Sequence, residues 1–142
     1  MESPQITYHP NGLLAASQCF KNGLAHGLSI WYWPSGIIQE RLIYVNGKLE
    51  GYTELYYETG ELELLGCYYK GKADGIFEWY YPSGSIQARI SYQAGIKHGP
   101  FIQYHKNGVV ALQGYYHNDC EQGAWHTYTE KGILKQRQKY SY

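Results

Sequence analysis

Six tyrosines, Tyr8, Tyr32, Tyr56, Tyr80, Tyr104 and Tyr128, stand 24 residues apart, and Gly12, Gly36, Gly60, Gly84, Gly108 and Gly132 each follow four residues later. A fixed period of this length means that one small supersecondary unit is stacked repeatedly, each copy covering a face its neighbour leaves open. The chain is expected to be a single domain over 1–142, with units starting at about 8, 32, 56, 80, 104 and 128 and a last unit that is partial and capping. Function belongs on a surface that the units build together.

Within a unit the punctuation is that of hairpins. Pro34-Ser35-Gly36, Pro82-Ser83-Gly84 and Pro10-Asn11-Gly12 fit a three-residue loop in which Pro fixes φ and Gly takes the left-handed bulge position. A second aromatic, Phe20, Tyr44, Tyr68, Tyr92, Tyr116 or Tyr140, precedes a second turn opened by Asn22-Gly23, Asn46-Gly47, Lys70-Gly71 or Ala94-Gly95 and closed by Gly27, Gly51, Gly75, Gly99 or Gly123. Each unit reads as two strands and two turns. The predicted class is all-β: an elongated, twisted antiparallel meander of about six 24-residue hairpins. Asn118-Asp119-Cys120 lacks the glycine of the other second turns, which predicts a distorted turn or a small insertion there.

A three-residue loop places each first Tyr opposite the residue six positions on: Leu14, Ile38, Leu62, Ile86, Val110 or Leu134. Simple alternation from there adds the second aromatics with Leu42, Leu64, Ile90 and Leu112 to the same side, predicted to be the core. The other side would carry Trp31, Trp33, Tyr57, Phe77, Trp79, Tyr81, Phe101 and Trp125 among Gln39, Gln87, Arg41, Arg89 and Arg137. A four-residue loop would shift the pairing by one and exchange the faces. Arg41, Arg89 and Arg137 are 48 apart, as are Gly66 and Gly114, so units alternate, whether for packing or by inheritance from a two-unit ancestor.

Composition narrows the function. Twelve basic and twelve acidic side chains cancel, which disfavours general binding to DNA or RNA. Neither a leader of basic and apolar segments nor an 18-residue apolar stretch is visible, so a cytoplasmic location is expected. Cys19, Cys67 and Cys120 lack metal-site spacing and are expected to be reduced thiols.

The order of Tyr, Gly four residues on, a second Tyr and then N-G-K-x-x-G, as in YYETG followed by YYKGKADG (Tyr56 to Gly75) and in YVNGKLEG (Tyr44 to Gly51), resembles the MORN repeat. It is similar in particular to the variant of bacterial proteins grouped as the YwqK-type antitoxin family, over about 8–142. That resemblance implies a non-enzymatic binding protein, either an antitoxin or immunity-like partner of a toxin or a scaffold for another protein. MORN proteins more widely are also linked to membrane phospholipids.

Residues that could carry chemistry have plainer readings. His26 and His98 share a turn position with Glu50, Asp74 and Gln122, and His9 and His105 share a strand position with Trp33 and Tyr57, so all four read as polar or aromatic filler. No metal spacing, phosphate loop or nucleophile with its base is visible, so no enzyme activity, cofactor or metal is expected. The candidate partner-binding residues are Trp31, Trp33, Arg41, Tyr57, Phe77, Trp79, Tyr81 and Arg89, because Trp, Tyr and Arg dominate protein hot spots. The same rings could equally form a second packed ladder. Lys131, Lys135, Arg137 and Lys139 make the last half unit basic, read as a polar cap ahead of a site for an acidic partner. The expected partner is a protein, a toxin, effector or scaffold client. The alternatives are a lipid-headgroup adaptor, which is weaker, and a purely structural spacer or oligomerisation array.

Overall fold

The computed structural model describes residues 2–141; Met1 and Tyr142, which the single-domain reading includes, lie outside the described residues. Among the described residues, fourteen antiparallel strands form one open sheet. They are β1 (Gln5–Tyr8), β2 (Leu14–Lys21), β3 (Leu24–Tyr32), β4 (Ile38–Val45), β5 (Lys48–Leu49), β6 (Gly51–Tyr56), β7 (Leu62–Tyr69), β8 (Lys72–Ala73), β9 (Gly75–Tyr80), β10 (Ile86–Gln93), β11 (Ile96–Tyr104), β12 (Val110–His117), β13 (Cys120–Tyr128) and β14 (Leu134–Tyr140). Neighbours in sequence are neighbours in space, with β5 and β8 serving as short beginnings of the strands that become β6 and β9. The chain exposes 8899 Å², against about 7,500 Å² expected of a compact body of its mass, as an uncovered single sheet must.

Both turns have the predicted chemistry. At the first, the Trp33 amide donates to the Ile37 carbonyl at 2.7 Å and the Gly36 amide to the Trp33 carbonyl at 2.8 Å, with Gly36 at φ +93°. That is a three-residue loop with glycine in the left-handed position. At the second, Val45 pairs with Lys48 and Tyr69 with Lys72, leaving two-residue loops whose residues all have positive φ. Asn118-Asp119 keeps the same form, with φ of 48° and 67°, and His117 pairs directly with Cys120. The expected distortion is absent there because Asp, like Asn, tolerates the left-handed region that glycine occupies elsewhere.

The tyrosine pairings hold throughout: Tyr8 with Leu14, Tyr32 with Ile38, Tyr56 with Leu62, Tyr80 with Ile86, Tyr104 with Val110 and Tyr128 with Leu134. The faces do not follow from them by alternation. A bulge comes next on every downstream strand, so Trp31 pairs with Glu40 and Leu55 with Leu64, leaving Gln39 and Glu63 unopposed. One extra residue moves everything beyond it to the other side of the sheet. The predicted core face is therefore corrected: Leu42, Leu64, Ile90 and Leu112 part from the first tyrosines and join Phe77, Trp79, Phe101 and Trp125.

On that ring-bearing face one row crosses the sheet as Ser29, Leu42, Thr53, Gly66, Phe77, Ile90, Phe101, Gly114 and Trp125. Phe77 is 3% and Trp125 5% exposed, and Ser29, Thr53 and Gly66 are buried with them. Phe77 meets Tyr68 and Tyr92 edge-on with centroids at 5.4 and 5.0 Å, and Trp125 meets Tyr116 at 5.0 Å. A methyl group on Gly66 would overlap the Phe77 ring, and one on Gly114 the Trp125 indole. The 48-residue spacing of these glycines thus has a packing reason: in alternate units a neighbouring ring lies flat over bare backbone.

Candidate functional site: an exposed apolar row beside an Arg–Glu ladder

The eight residues predicted to form one patch occupy different places. Phe77 is in the core, and Trp79 packs on it with ring centroids at 5.9 Å. Trp31 shares their face and is 38% exposed. Arg41 and Arg89 point to the other side, because the bulges at Gln39 and Gln87 reverse the parity on which a single patch depended.

Trp33, Tyr57 and Tyr81 have a structural task. The Trp33 Nε1–H donates to the Tyr56 carbonyl at 3.1 Å, and the Tyr57 and Tyr81 hydroxyls donate to the Tyr80 and Tyr104 carbonyls at 2.6 and 2.8 Å. His9 and His105 do the same through Nε2, to Tyr32 and Tyr128 at 2.8 Å. Trp, Tyr and His interchange here because each extends a hydrogen-bond donor from a flat ring to the next unit's backbone. A second set of ties uses acceptors: Glu2, His26, Glu50 and His98 receive the amides of Asn22, Asn46, Lys70 and Asn118. The histidines read as filler are links between repeats, a function visible in sequence only as a shared ability to hydrogen-bond.

The side opposite the rings carries three parallel rows. The first holds Tyr32, Tyr56, Tyr80, Tyr104 and Tyr128 with their aliphatic partners. The second runs Ile30, Arg41, Glu54, Leu65, Glu78, Arg89, Ile102. Here Arg41 Nη1 lies 3.3 Å from Glu54 Oε2 and Arg89 Nε lies 3.2 Å from Glu78 Oε2. The Tyr56 and Tyr80 hydroxyls donate to the same carboxylates at 2.7 and 3.3 Å. Burial first, and then these carboxylates, hold both phenols above their usual pKa.

The third row is the one sequence reading missed. Leu28 pairs with Ile43, Tyr52 with Cys67, Ile76 with Ser91 and Pro100 with Tyr115, all in one line across the strands. Leu28 and Ile43 are each 38% exposed, Tyr115 41%, Ile76 59% and Tyr52 65%. With strands about 4.8 Å apart, the line from Leu28 to Tyr115 is about 34 Å long. Its members vary in type from unit to unit, so counting identical residues does not mark them; Leu28, Tyr52, Ile76 and Pro100 share the position after the closing glycine, and Ile43 and Tyr115 the position before the second aromatic.

Among the described residues no three His, Cys, Asp or Glu side chains are grouped to hold a metal, and no helix is long and apolar enough to cross a membrane. Residues 25–46, 73–94 and 97–118 each match the family model described as the MORN repeat variant. The three matches start in one phase of the 24-residue period. No curated protein matches the chain.

Proposed function

We propose, from the three segments that match the MORN repeat variant, that the chain is a non-enzymatic module that binds a protein partner along the row Leu28, Ile43, Tyr52, Ile76 and Tyr115. The observation that carries this reading is the exposure of five large apolar side chains in one line on a sheet that buries its rings on the opposite side. An exposed, largely apolar row with a polar border is how a surface prepared for another protein looks. The Arg41–Glu54 and Glu78–Arg89 pairs form that border, and the length of about 34 Å suits a protein ridge rather than a small molecule. The sheet is preformed, so contact orders little additional backbone.

Four of the six histidines, His9, His26, His98 and His105, are engaged in ties between repeats, which supports binding over catalysis. A toxin or effector held by an antitoxin-like or immunity-like partner is the finer form of this proposal, and a cytoplasmic setting goes with it. The test is affinity capture from the native host with the natural sequence and with Tyr52→Ser/Ile76→Ser, followed by mass spectrometry. Both positions are exposed, so far-UV dichroism should not change. Loss of the same captured protein with the variant supports the row; equal capture removes it. Trp31→Ala/Trp79→Ala would not separate binding from packing, since Trp79 supports Phe77.

A further inference from the structure

The residue before each closing glycine stands one step beyond a paired position, opposite the residue that follows the second aromatic of the next strand. Those combinations are His26 with Val45, Glu50 with Tyr69, Asp74 with Gln93 and His98 with His117. Among them only the last carries an imidazole on both strands. Gly99 on β11 pairs with Tyr116 on β12, so His98 and His117 face each other next to that pair. Their ring centroids are 4.9 Å apart and the rings are tilted by 53°.

That separation suits a shared ion. An imidazole nitrogen lies about 2.0–2.1 Å from a zinc-class metal, which puts the ring centroid about 3.2 Å from it. Two rings with centroids 4.9 Å apart then meet at one ion with an angle of about 100°, between the octahedral and tetrahedral values. Little has to be given up for this. His98 Nδ1 receives the Asn118 amide at 3.4 Å and His117 Nε2 lies 3.5 Å from Asn118 Nδ2, both at the limit of a hydrogen bond. Lys97, next to His98, sends its ammonium over the Tyr116 ring on the other face, while Asp119, whose Oδ1 accepts the Lys97 amide at 2.7 Å, adds negative charge nearby. An open hollow of about 560 Å³ lined by Tyr115, His117, Gln122, Gly123 and Ala124 gives water access to the pair.

We propose that His98 and His117 bind one divalent transition-metal ion of the zinc class, each through one ring nitrogen, with water in the remaining positions. Imidazole suits Zn²⁺, Ni²⁺ and Cu²⁺, whereas Mg²⁺ and Ca²⁺ take oxygen ligands. The ion ties β11 to β12 beside Tyr115, where the apolar row ends. It needs neither the row nor a partner protein, so its test and that of the row fail independently. His26 is the internal control, since it holds the Asn46 amide in the same turn position but has Val45 opposite it.

The experiment titrates Zn²⁺ into the full chain, purified without a histidine tag, and follows heat and the imidazole proton resonances. Zn²⁺ is used because it is redox-inert and Cys120, opposite His117 across the turn, carries a thiol that Cu²⁺ would oxidise. One ion should bind saturably per chain, moving the His98 and His117 resonances ahead of those of the other four histidines. Mg²⁺ should not compete, and bound Zn²⁺ should raise the urea midpoint. Gln93 and Gln122 occupy these two positions in other units, so His117→Gln and His98→Gln should fold normally, weaken binding at least about tenfold and remove the midpoint shift. Val45→His, which sets an imidazole opposite His26, should create a second site. The proposal is overturned if His117→Gln binds Zn²⁺ as tightly as the natural chain, if Cys120→Ser weakens binding more than His117→Gln does, or if Val45→His adds no second site.

Discussion

Gly114 lies directly beneath the indole of Trp125, in the space a side-chain methyl would need. Its φ is not in the left-handed region, so this glycine answers to packing and not to backbone conformation. Gly66 stands in the same relation to Phe77.

Gly114→Ala should therefore destabilise the sheet by about 1–3 kcal/mol, the usual cost of forcing a methyl into a filled site. Trp125→Ala, which empties that site, should cost about 3–5 kcal/mol. The double variant should cost less than the sum, since the alanine methyl partly refills the space the indole leaves. Urea denaturation of the four proteins measures this, and strict additivity would contradict the stacking account.

A prediction of opposite sign concerns Ala94, which sits in the first position of a two-residue turn at φ +50°. The left-handed region costs an ordinary residue about 1–2 kcal/mol, and Asn, used at Asn22, Asn46 and Asn118, far less. Ala94→Asn should raise stability by about 0.5–1 kcal/mol and shift the urea midpoint upward. A neutral or lowered midpoint would mean the turn is relaxed by its neighbours.

The turns, the tyrosine pairs and the meander could be read from the sequence because each rests on local chemistry repeated at fixed spacing. The faces could not. A bulge such as that at Gln39 is set by how Tyr32–Ile38 and Trp31–Glu40 pair across the strands, and no residue type announces it. Counting by twos past Ile38 therefore put Leu42 with Tyr32 and left Phe77 and Trp79 on an imagined outer surface. The apolar row was missed for the same reason, because Leu28, Tyr52 and Ile76, 24 residues apart, are joined by Ile43 and Tyr115 on one side only after the bulge in each unit is placed. The alternation of Gly66 and Gly114 was visible as spacing, but its meaning required knowing which rings lie above.

The ties between units give a third prediction. Tyr81→Phe removes only the hydroxyl that donates to the Tyr104 carbonyl at 2.8 Å. The expected loss is about 1 kcal/mol, typical of one intramolecular hydrogen bond. Tyr57→Phe, one unit away and bonded to the Tyr80 carbonyl, should cost a similar amount. Both variants should keep the native strand content by far-UV dichroism. Unchanged denaturation midpoints in both would show that the hydroxyls exchange freely with water.

Alkaline pH tests the aromatic packing without mutation. Burial pushes the Tyr92 and Tyr116 phenols up from the usual value of 10.0; burial followed by Glu54 does so for Tyr56, and the Glu121 hydrogen bond followed by burial for Tyr140. Each raised phenol stays protonated in the sheet at a pH where it has ionised in the unfolded chain. Between the two values the unfolded chain binds fewer protons, so stability is whole below pH 10 and falls as pH rises through the folded values. The urea midpoint should therefore drop between pH 9 and pH 11. Tyr92→Phe and Tyr116→Phe should each make that drop shallower while leaving lysine titration as it was. A pH dependence identical in natural and substituted chains would show that these rings ionise as freely in the sheet as outside it.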